Sequence, residues 1–373
     1  MNVLQVLVRF FPYVGGVEKT AYELSRRLVQ RGHRVQVVCA AEPDGPAEVE
    51  GIAVERLRYY GKVGNANLCF GLRRALRRYR PDVIHTHIPT VLFPDAAAAM
   101  SEATGTPCVV SYNNDIFGRG AKGWLAALYN RIFLPRLFSR SARVVVSNPR
   151  YPLHSPFLGL AADRTMHIPW GVDLARLPSS PLPAGRPLVM SFLSLLDAQH
   201  SYKGLEDLLR ALAVLKIAGH DFQLRVGGAG EKLGYYRGLA TSLGLGDHVE
   251  FLGFVPDEEL LSLFADSHLF VLPSRDGRQE GFGLVVLEAM AVGRPVLTTT
   301  VVGMAEDLER CEAGLLVAPR DVEALTAALE RFLSGGIDMD AMGRRGRQLV
   351  EDRYDWEYVT DRYEALYEEL VAG

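Results

Sequence analysis

Short apolar runs alternate with longer helical stretches along nearly the whole sequence. In the first half, the apolar runs occupy residues 2–10, 33–40, 82–87, 108–113 and 143–148. The first helical stretch begins at Gly16 and is ended by Gly32, and we expect the first strand to end at Phe10 or Phe11. Because parallel strands need a crossover connection, usually a helix, this alternation predicts a parallel sheet with helices on both faces.

The composition shifts in the middle of the chain. Residues 174–188 carry four prolines, which indicate a stiff linker at a domain boundary: Pro178, Pro181, Pro183 and Pro187. The alternation then restarts, with apolar runs at residues 188–195, 222–228, 249–255, 269–274 and 295–300. The sequence therefore predicts an α/β chain of two Rossmann-like, doubly wound domains, residues 1–176 and 187–354, which face each other across a cleft. A length of 373 residues agrees with two domains of about 150 residues each.

Composition and charge exclude several classes of protein. The hydrophobic content of 48% and charged content of 23% are ordinary for a soluble globular chain, and the net charge of −3 is not that of a nucleic-acid binder. The four cysteines are scattered without a CxxC pair, which favours a reducing cytoplasm. The first apolar run stops at Pro12 without a basic region before it, so we interpret it as a strand and not as a signal peptide. No apolar run approaches the roughly 18 residues of a membrane span.

Three glycine-containing loops follow predicted strands, where open parallel sheets bind their ligands. Gly15 and Gly16 lead into the first helix, and Gly228 is the last residue of the run at 222–228. Lys203 precedes Gly204 at another helix start, where a cation beside free N–H groups suits a phosphate. Each loop also has a simpler explanation, a glycine turn or a solvated surface lysine.

The segment "QEGFGLVVLEAMAVGRPV", residues 279–296, carries two carboxylates in an apolar setting. Glu288 is the only charge on a helix that is apolar on all sides, so we expect it to be buried and to need a partner such as ligand hydroxyls or a distant basic residue. Glu280 is expected in the loop before that helix, whose first N–H groups suit a diphosphate. Two carboxylates on either side of a diphosphate point to a nucleotide sugar.

With these features the sequence resembles the family-4 retaining glycosyltransferases of GT-B fold over nearly its whole length. The E-x7-E pattern from Glu280 to Glu288 carries the resemblance, with "GGVEKTAYELSRRLVQRGHRVQVV", "PDVIHTH", "IPWGVD", Lys203-Gly204, "VEFLGFVPDEEL" and "GLLVAP" in the expected order. The resemblance implies that the last helix, residues 355–371, crosses back onto the N-terminal domain.

The resemblance also implies roles for individual residues. Glu288 is expected to bind ribose hydroxyls, Glu280 the hydroxyls of the transferred sugar, and Lys203 the diphosphate. Further donor contacts are expected from Gly15, Gly16, Gly228, Phe254, Val255, Gly281, Phe282, Gly283 and Leu284.

The sequence departs from the family pattern at several positions. Asn113 stands where many members have a histidine, with Asp115 two residues later, and it can donate a hydrogen bond but cannot hold a proton. We expect Asn113, Glu280 and Lys203 to be the catalytic residues. Leu195 replaces an arginine that would assist the diphosphate, and Trp170 replaces an asparagine.

The implied reaction transfers a sugar from a UDP- or GDP-linked donor, with retention, to a glycan, lipid-linked or small-molecule acceptor in cell-surface polysaccharide or glycoconjugate synthesis. The sequence has no DxD-like pair for a metal, and the resemblance also implies metal independence, so we expect no cofactor beyond the donor as co-substrate. A front-face mechanism, in which the leaving phosphate assists acceptor deprotonation, is the hypothesis. A non-catalytic nucleotide-sugar-binding protein and a nucleotide-sugar epimerase remain alternatives.

Two arginine-rich stretches, residues 71–82 and 129–143, have two interpretations. Both could lie on an anionic membrane, as peripheral contacts on the inner face of the cell membrane, and meet a lipid-linked acceptor. Each could equally be a solvated helix face.

Overall fold

The chain folds into two compact α/β units. The computed structural model describes residues 1–13, 15–63, 66–116 and 121–373, and among these it leaves the side chains of residues 63, 66, 121, 122 and 154 undescribed. The first unit comprises Met1–Gly171 and Trp356–Gly373, and the second comprises Val172–Asp355. The division at Gly171 falls five residues before the expected domain limit at 176, so the proline-rich segment belongs to the second unit.

The first unit is built on an eight-stranded sheet. Its strands are β1 (Asn2–Val6), β2 (Arg34–Ala40), β3 (Glu48–Val49), β4 (Ile52–Leu57), β7 (Val83–Ile88), β8 (Cys108–Tyr112), β9 (Arg143–Val146) and β10 (Thr165–His167), and β5 (Lys62–Val63) with β6 (Ala66–Asn67) forms a separate pair. The spatial order is β10-β9-β8-β7-β1-β2-β4-β3, and every pair is parallel except β3 with β4. The chain leaves β1 in one direction and returns to β7 on its other side, so the strand order reverses between these two strands.

Helices cover this sheet because their apolar residues recur at helical spacing. They are α1 (Gly16–Gln30), α2 (Leu72–Leu76), α3 (Phe93–Thr104), α4 (Ala121–Ser139) and α5 (Tyr151–His154), with a 3₁₀ helix at Leu158–Arg164. In α1, Ala21, Leu24 and Leu28 are fully buried, as the i, i+3, i+7 pattern dictates. Pro94 in the first turn of α3 and Gly105 in left-handed conformation after its end fix the limits of that helix.

The second unit repeats the design with six parallel strands. These are β11 (Leu188–Leu193), β12 (Phe222–Gly227), β13 (Val249–Gly253), β14 (Leu269–Leu272), β15 (Val296–Thr299) and β16 (Leu315–Val317), in the order β13-β12-β11-β14-β15-β16. The helices are α6 (Leu205–Ile217), α7 (Leu233–Ser242), α8 (Leu260–Ala265), α9 (Leu284–Ala291), α10 (Ala305–Arg310), α11 (Val322–Leu333) and α12 (Met339–Arg353), with 3₁₀ turns at Ser201–Lys203 and Asp257–Glu259. Here the strand order reverses between β11 and β14.

The final helix, α13 (Trp356–Ala372), belongs to the first unit, where it packs against α1, as the resemblance implied. Its inner face joins a buried polar network with the sheet. The Tyr367 hydroxyl lies 2.7 Å from His85 Nδ1, and His85 Nε2 lies 2.8 Å from Ser111 Oγ. Gln5 Oε1 lies 3.0 Å from Nε2 of His87. At its surface, Arg31 forms ion pairs with three carboxylates of the helix, Glu357, Asp361 and Glu364.

Arg294 fastens the proline-rich segment to the second unit. Its guanidinium is fully buried and donates hydrogen bonds to the carbonyl oxygens of Ser267 at 3.0 Å, Pro181 at 3.0 Å and Ser180. Burial lowers the pKa of Arg294 to about 10, and the distant Asp340 carboxylate opposes that shift. The expected stiff linker is therefore an ordered strap held to one unit by a buried arginine.

The predicted α/β architecture of two doubly wound units is confirmed, with differences in detail. β1 ends at Val6 and not at Phe10 or Phe11, although Leu7 and Val8 still form backbone hydrogen bonds with Val38 and Ala40 of β2. Leu7, Val8 and Phe10 stay buried. The alternation did not reveal β4, a strand near the sheet edge with only two buried residues, or the three-residue β16. Burial on one face gives such strands too weak an apolar signal.

Candidate functional site

The candidate site lies in the second unit, where the strand order reverses. The loop after β11, residues 194–204, and the loop after β14, residues 273–283, start from neighbouring strands at the same edge of the sheet. Open parallel sheets bind their ligands at such reversal points, outside the carboxyl ends of the strands.

An ion pair joins the two loops. Nζ of Lys203 lies 3.0 Å from Oε1 and 2.9 Å from Oε2 of Glu280, and the Ser274 hydroxyl donates to Glu280 Oε2 at 2.5 Å. Glu280 is only 2% exposed, whereas the Lys203 side chain is 15% exposed. Glu280 lies in the loop before α9, as expected, but it is buried there because the ion pair and the Ser274 hydroxyl satisfy its carboxylate below the surface.

The ammonium of Lys203 is held in its charged form. Burial by itself would lower the pKa of Lys203, but the Glu280 carboxylate, followed by Tyr202, outweighs burial and raises the pKa above its ordinary value. Lys203 thus stays protonated and paired with the Glu280 carboxylate across the physiological pH range.

A second ion pair fixes the loop after β14 against helix α6. The Arg275 guanidinium donates two hydrogen bonds to the Asp207 carboxylate, with Nε to Oδ2 at 2.6 Å, and the Arg275 N–H donates to the Tyr202 carbonyl at 2.7 Å. Asp207 raises the pKa of Arg275. Paired arginine and carboxylate groups of this kind set geometry as well as energy. Residues 273–283 are therefore positioned relative to Lys203 through the backbone of Tyr202.

Two glycines allow the loops to approach each other closely. Gly204 has a φ of 83°, and a Cβ atom there would lie 2.0 Å from the Pro273 carbonyl oxygen. Gly228 has a φ of 138°, and its Cβ would lie 1.8 Å from the Ser194 carbonyl oxygen. Gly228 therefore has a packing reason to be glycine, and its expected donor contact stays a prediction.

Helix α9 begins at the same edge, directly after the Glu280 loop. Gly283 precedes it with a φ of 88°, and the first N–H groups of any helix lack acceptors within that helix. Gly281 and Leu284 are partly exposed here, whereas Phe282 is 1% exposed and packs against Gly303 and Tyr354. The Phe282 ring therefore serves the core, and its expected donor contact is restricted to the backbone.

Glu288 lies on α9, one turn from the C-terminal end of the helix. It is 7% exposed, which confirms the predicted burial. At the end of β13, Phe254 is 72% exposed, and the Val255 side chain lies close to Gly227. The expected backbone contact of Phe254 and Val255 with a nucleobase stays a prediction.

In the first unit, the expected residues sit at the ends of β1 and β8. Gly15 and Gly16 begin α1, and a Cβ at Gly16 would lie 3.3 Å from the Trp170 ring. Asn113 is 7% exposed and donates through Nδ2 to the Ile88 carbonyl at 2.8 Å. This hydrogen bond gives Asn113 a structural role in joining β8 to β7. Its catalytic role stays a prediction.

Asp115 is also engaged within the first unit. Its Oδ1 accepts hydrogen bonds from the hydroxyls of Tyr112 at 2.7 Å and Ser155 at 2.6 Å. The Asp115 N–H donates to the Tyr151 hydroxyl at 2.7 Å. These bonds order the segment that follows β8.

Sequence reasoning missed Ser274, Arg275 and Asp207. Arg275 and Asp207 are 68 positions apart in sequence, and no local sequence pattern predicts that they pair. The acidic first turn of α6 was a usable signal, because a buried carboxylate such as Asp207 needs a partner.

The described part of the chain contains neither a metal-binding cluster nor a membrane-spanning helix. No group of three or more His, Cys, Asp or Glu side chains is arranged to hold a metal ion. Within the same residues, no helix combines the length and apolar content needed to cross a bilayer.

Comparison with known protein families covers both units. The model of Glycosyltransferase Family 4 matches residues 14–176, and that of Glycosyl transferases group 1 matches residues 192–349. Together they leave only residues 1–13, 177–191 and 350–373 unmatched. The chain belongs to the family-4 glycosyltransferases, with two parallel-sheet units of the GT-B fold.

Relatives and solved structures agree with this assignment. The chain is 28% identical to a phosphatidyl-myo-inositol mannosyltransferase of Mycobacterium leprae, over 100% of this chain and 98% of the relative. It is 26% identical to a glycogen synthase of Mycobacterium tuberculosis, over 98% and 94%. Among solved structures, Anabaena HepE in complex with UDP aligns with a TM-score of 0.78 at 19% identity, covering 99% of this chain and 100% of that one. Likeness at that identity concerns the fold alone.

Proposed function

We propose that this glycosyltransferase moves a sugar from a nucleotide-diphosphate sugar to its acceptor with retention and without a metal ion. The main support for this proposal is the Lys203–Glu280 ion pair. It lies where the strand order of the second sheet reverses, directly before the start of α9. Relatives that synthesise glycogen or mannosylate phosphatidyl-myo-inositol, and a GT-B structure holding UDP, support the substrate class. A polysaccharide or glycoconjugate is the product class we propose.

The roles proposed for the residues come from the family resemblance, and their positions support them. The diphosphate is placed beside the Lys203 ammonium and the first N–H groups of α9, where helix termini favour anions. As the glycosidic bond breaks, charge develops on the leaving diphosphate, and Lys203 stabilises it by preorganised electrostatics. The Glu280 carboxylate accepts hydrogen bonds from the sugar, and Glu288 binds the ribose. The leaving phosphate assists deprotonation of the acceptor.

A donor screen tests the proposal. UDP-, GDP- and ADP-sugars are compared by thermal shift, since a ligand at 100 times its Kd adds about 2.7 kcal/mol of stability. The stabilising donor is then supplied with glycan and lipid-linked acceptors, and nucleoside diphosphate release, anomeric configuration and the effect of EDTA are measured. Binding without release in the presence of any acceptor indicates the non-catalytic alternative, and a new sugar isomer without acceptor indicates the epimerase.

Single substitutions distinguish the residues that bind the nucleotide from those that take part in sugar transfer. We expect Lys203→Ala to lower kcat by about 10²–10³-fold, the scale for losing one charge-stabilising donor. Glu280→Gln should lower transfer while nucleotide binding is kept, and Glu288→Ala should weaken nucleotide binding. The exposed Glu323→Gln on α11 is the matched control. Full transfer by Glu280→Gln would remove that residue from the mechanism.

A further inference from the structure

Helix α4 of the first unit presents apolar side chains to solvent. Trp124 is 67% exposed, and the others on this helix are between 37% and 47% exposed: Leu125, Leu128, Ile132 and Phe133. Positions 124, 128 and 132 fall on one row of the helix, and 125, 129 and 133 on the adjacent row. A monomeric soluble protein rarely exposes a contiguous patch of this kind without using it. We call these five side chains the α4 stripe.

A cavity of about 570 Å³ opens beside the stripe, between helices α2, α3 and α4. Its walls are mainly aliphatic and aromatic, and they include Leu137, Ala98 and Val91. Phe133 lines the cavity and also belongs to the stripe, so the two features are continuous. The volume lies within the roughly 300–1,000 Å³ of ordinary small-molecule sites.

The Asp95 carboxylate and the Tyr129 hydroxyl of the cavity wall occupy each other, and Asn67 adds one unpaired acceptor, its Oδ1. The Tyr129 hydroxyl lies 3.0 Å from Oδ2 of Asp95, and the Leu92 N–H donates to the same carboxylate at 3.0 Å. A sugar would need several unoccupied donors and acceptors on the walls. An apolar chain needs only the hydrocarbon surface that these walls provide.

Arginines surround the opening. Arg73 from α2 and Arg136 from α4 line the cavity and are exposed, and no carboxylate of the described residues lies within ion-pairing distance of either. Arg140 also lines it and pairs with Glu102 at 2.9 Å. Arg73 and Arg136 are 63 positions apart in sequence, so the two arginine-rich stretches meet at one apolar opening.

We propose that this face docks on an anionic phospholipid membrane, with the α4 stripe in the interface and one acyl chain of a lipid in the cavity. The exposed apolar row provides the inserted surface, and Arg73 and Arg136 meet the lipid phosphate. The proposal is independent of the donor chemistry, because all of its residues belong to the first unit.

Vesicle sedimentation tests the docking. We expect the protein to pellet with vesicles of one part phosphatidylglycerol to two parts phosphatidylcholine, weakly with phosphatidylcholine alone, and less at about 0.5 M than at about 0.1 M NaCl. Leu128→Glu and Phe133→Glu, both at exposed positions, should abolish pelleting. Arg73→Glu and Arg136→Glu should each weaken it about fivefold or more, the scale for one basic residue at an anionic surface. Ile217→Glu on α6, 89% exposed in the second unit, is the matched control and should pellet normally.

The cavity is tested with a single-chain lipid. Lauroyl-lysophosphatidylglycerol, kept below micelle formation, should bind the wild-type protein and bind Ala98→Leu about tenfold more weakly, because the new side chain occupies chain volume. Phe133→Glu tests the same point at an exposed position, where folding is not at risk.

Three results would overturn the proposal. The first is normal pelleting of Phe133→Glu and Leu128→Glu. The second is lysolipid binding that Phe133→Glu leaves unchanged. The third is a wild-type dimer in sedimentation velocity that Leu128→Glu dissociates without any vesicle binding, since the stripe would then be covered by a second copy of the chain.

Discussion

The Lys203–Glu280 pair places two opposite charges side by side at the edge of the second unit's sheet. Glu280 and Glu288 could be singled out from sequence because Glu288 interrupts an apolar run and Glu280 lies directly before it. Their surroundings could not, since Ser274 and Lys203 approach Glu280 only when two separate loops come together. The sequence therefore sufficed to select the two glutamates as site residues. It could not predict the Lys203–Glu280 ion pair, because that pair forms only where the strand order reverses.

Gly204 controls the spacing of these loops. We expect Gly204→Ala to destabilise the second unit and to weaken nucleotide binding, because its Cβ would lie 2.0 Å from the Pro273 carbonyl. The matched control is Gly219→Ala, which has a φ of 84° but no atom near its Cβ. That control should lose only about 1–2 kcal/mol, the backbone cost of a left-handed residue with a side chain. Thermal unfolding and nucleotide titration compare the two, and equal losses would contradict the loop-spacing role.

At the scale of elements, the strands with strong apolar runs were predicted within a few residues, and the weak ones were missed. β4 alternates only Ile52 and Val54 as buried positions, so its signal resembles that of a loop. The proline-rich segment was recognised by composition, but composition could not reveal that it is strapped to one unit. That strap depends on Arg294, whose partners lie up to 114 positions away in sequence.

Removing the Arg294 side chain, which holds the proline-rich segment, should lower the free energy of unfolding. Arg294→Ala leaves several buried carbonyl oxygens without donors, so we expect a loss of about 3 kcal/mol or more in the free energy of unfolding. Arg294→Lys should recover only part of it, because an ammonium cannot reach the same set of carbonyls. The exposed Arg331→Ala on α11 serves as the control in chemical denaturation. A change below about 0.5 kcal/mol, the size of an ordinary surface substitution, would contradict the anchoring role.

At the scale of the whole molecule, the return of α13 to the first unit came from family resemblance and not from the residues. The contacts that hold it join positions hundreds of residues apart, such as His85 with Tyr367. Burial lowers the pKa of His85 well below its ordinary value, with His87 adding to the shift, and burial lowers the pKa of His87 to about 3. Both imidazoles are therefore neutral in the folded state.

This burial predicts acid sensitivity of the first unit. Since unfolded histidine takes up a proton near pH 6.5 and folded His87 only near pH 3, stability is complete above pH 6.5 and falls as the pH drops towards 3. Each such histidine contributes up to about 1.4 kcal/mol per pH unit in that window. All three tryptophans, Trp124, Trp170 and Trp356, lie in the first unit, so their fluorescence reports its unfolding.

The variant His87→Gln isolates the effect. It keeps a side chain that can hydrogen-bond to Gln5 but cannot titrate, so its stability should fall less steeply between pH 6.5 and pH 4 than that of the wild type. His220→Gln, at a partly exposed position of the second unit, should leave the slope unchanged. Identical slopes for wild type and His87→Gln would show that His87 is not held neutral.

The position of α13 also orders events during synthesis on the ribosome. Residues 356–372 complete the helical layer of the first unit, yet they are translated after all 184 residues from Val172 to Asp355. Until then, His85, Ser111 and the sheet face around them lack the tyrosines that cover them. The second unit can therefore finish folding on the nascent chain, whereas the first must wait in an open form until its own last helix is released.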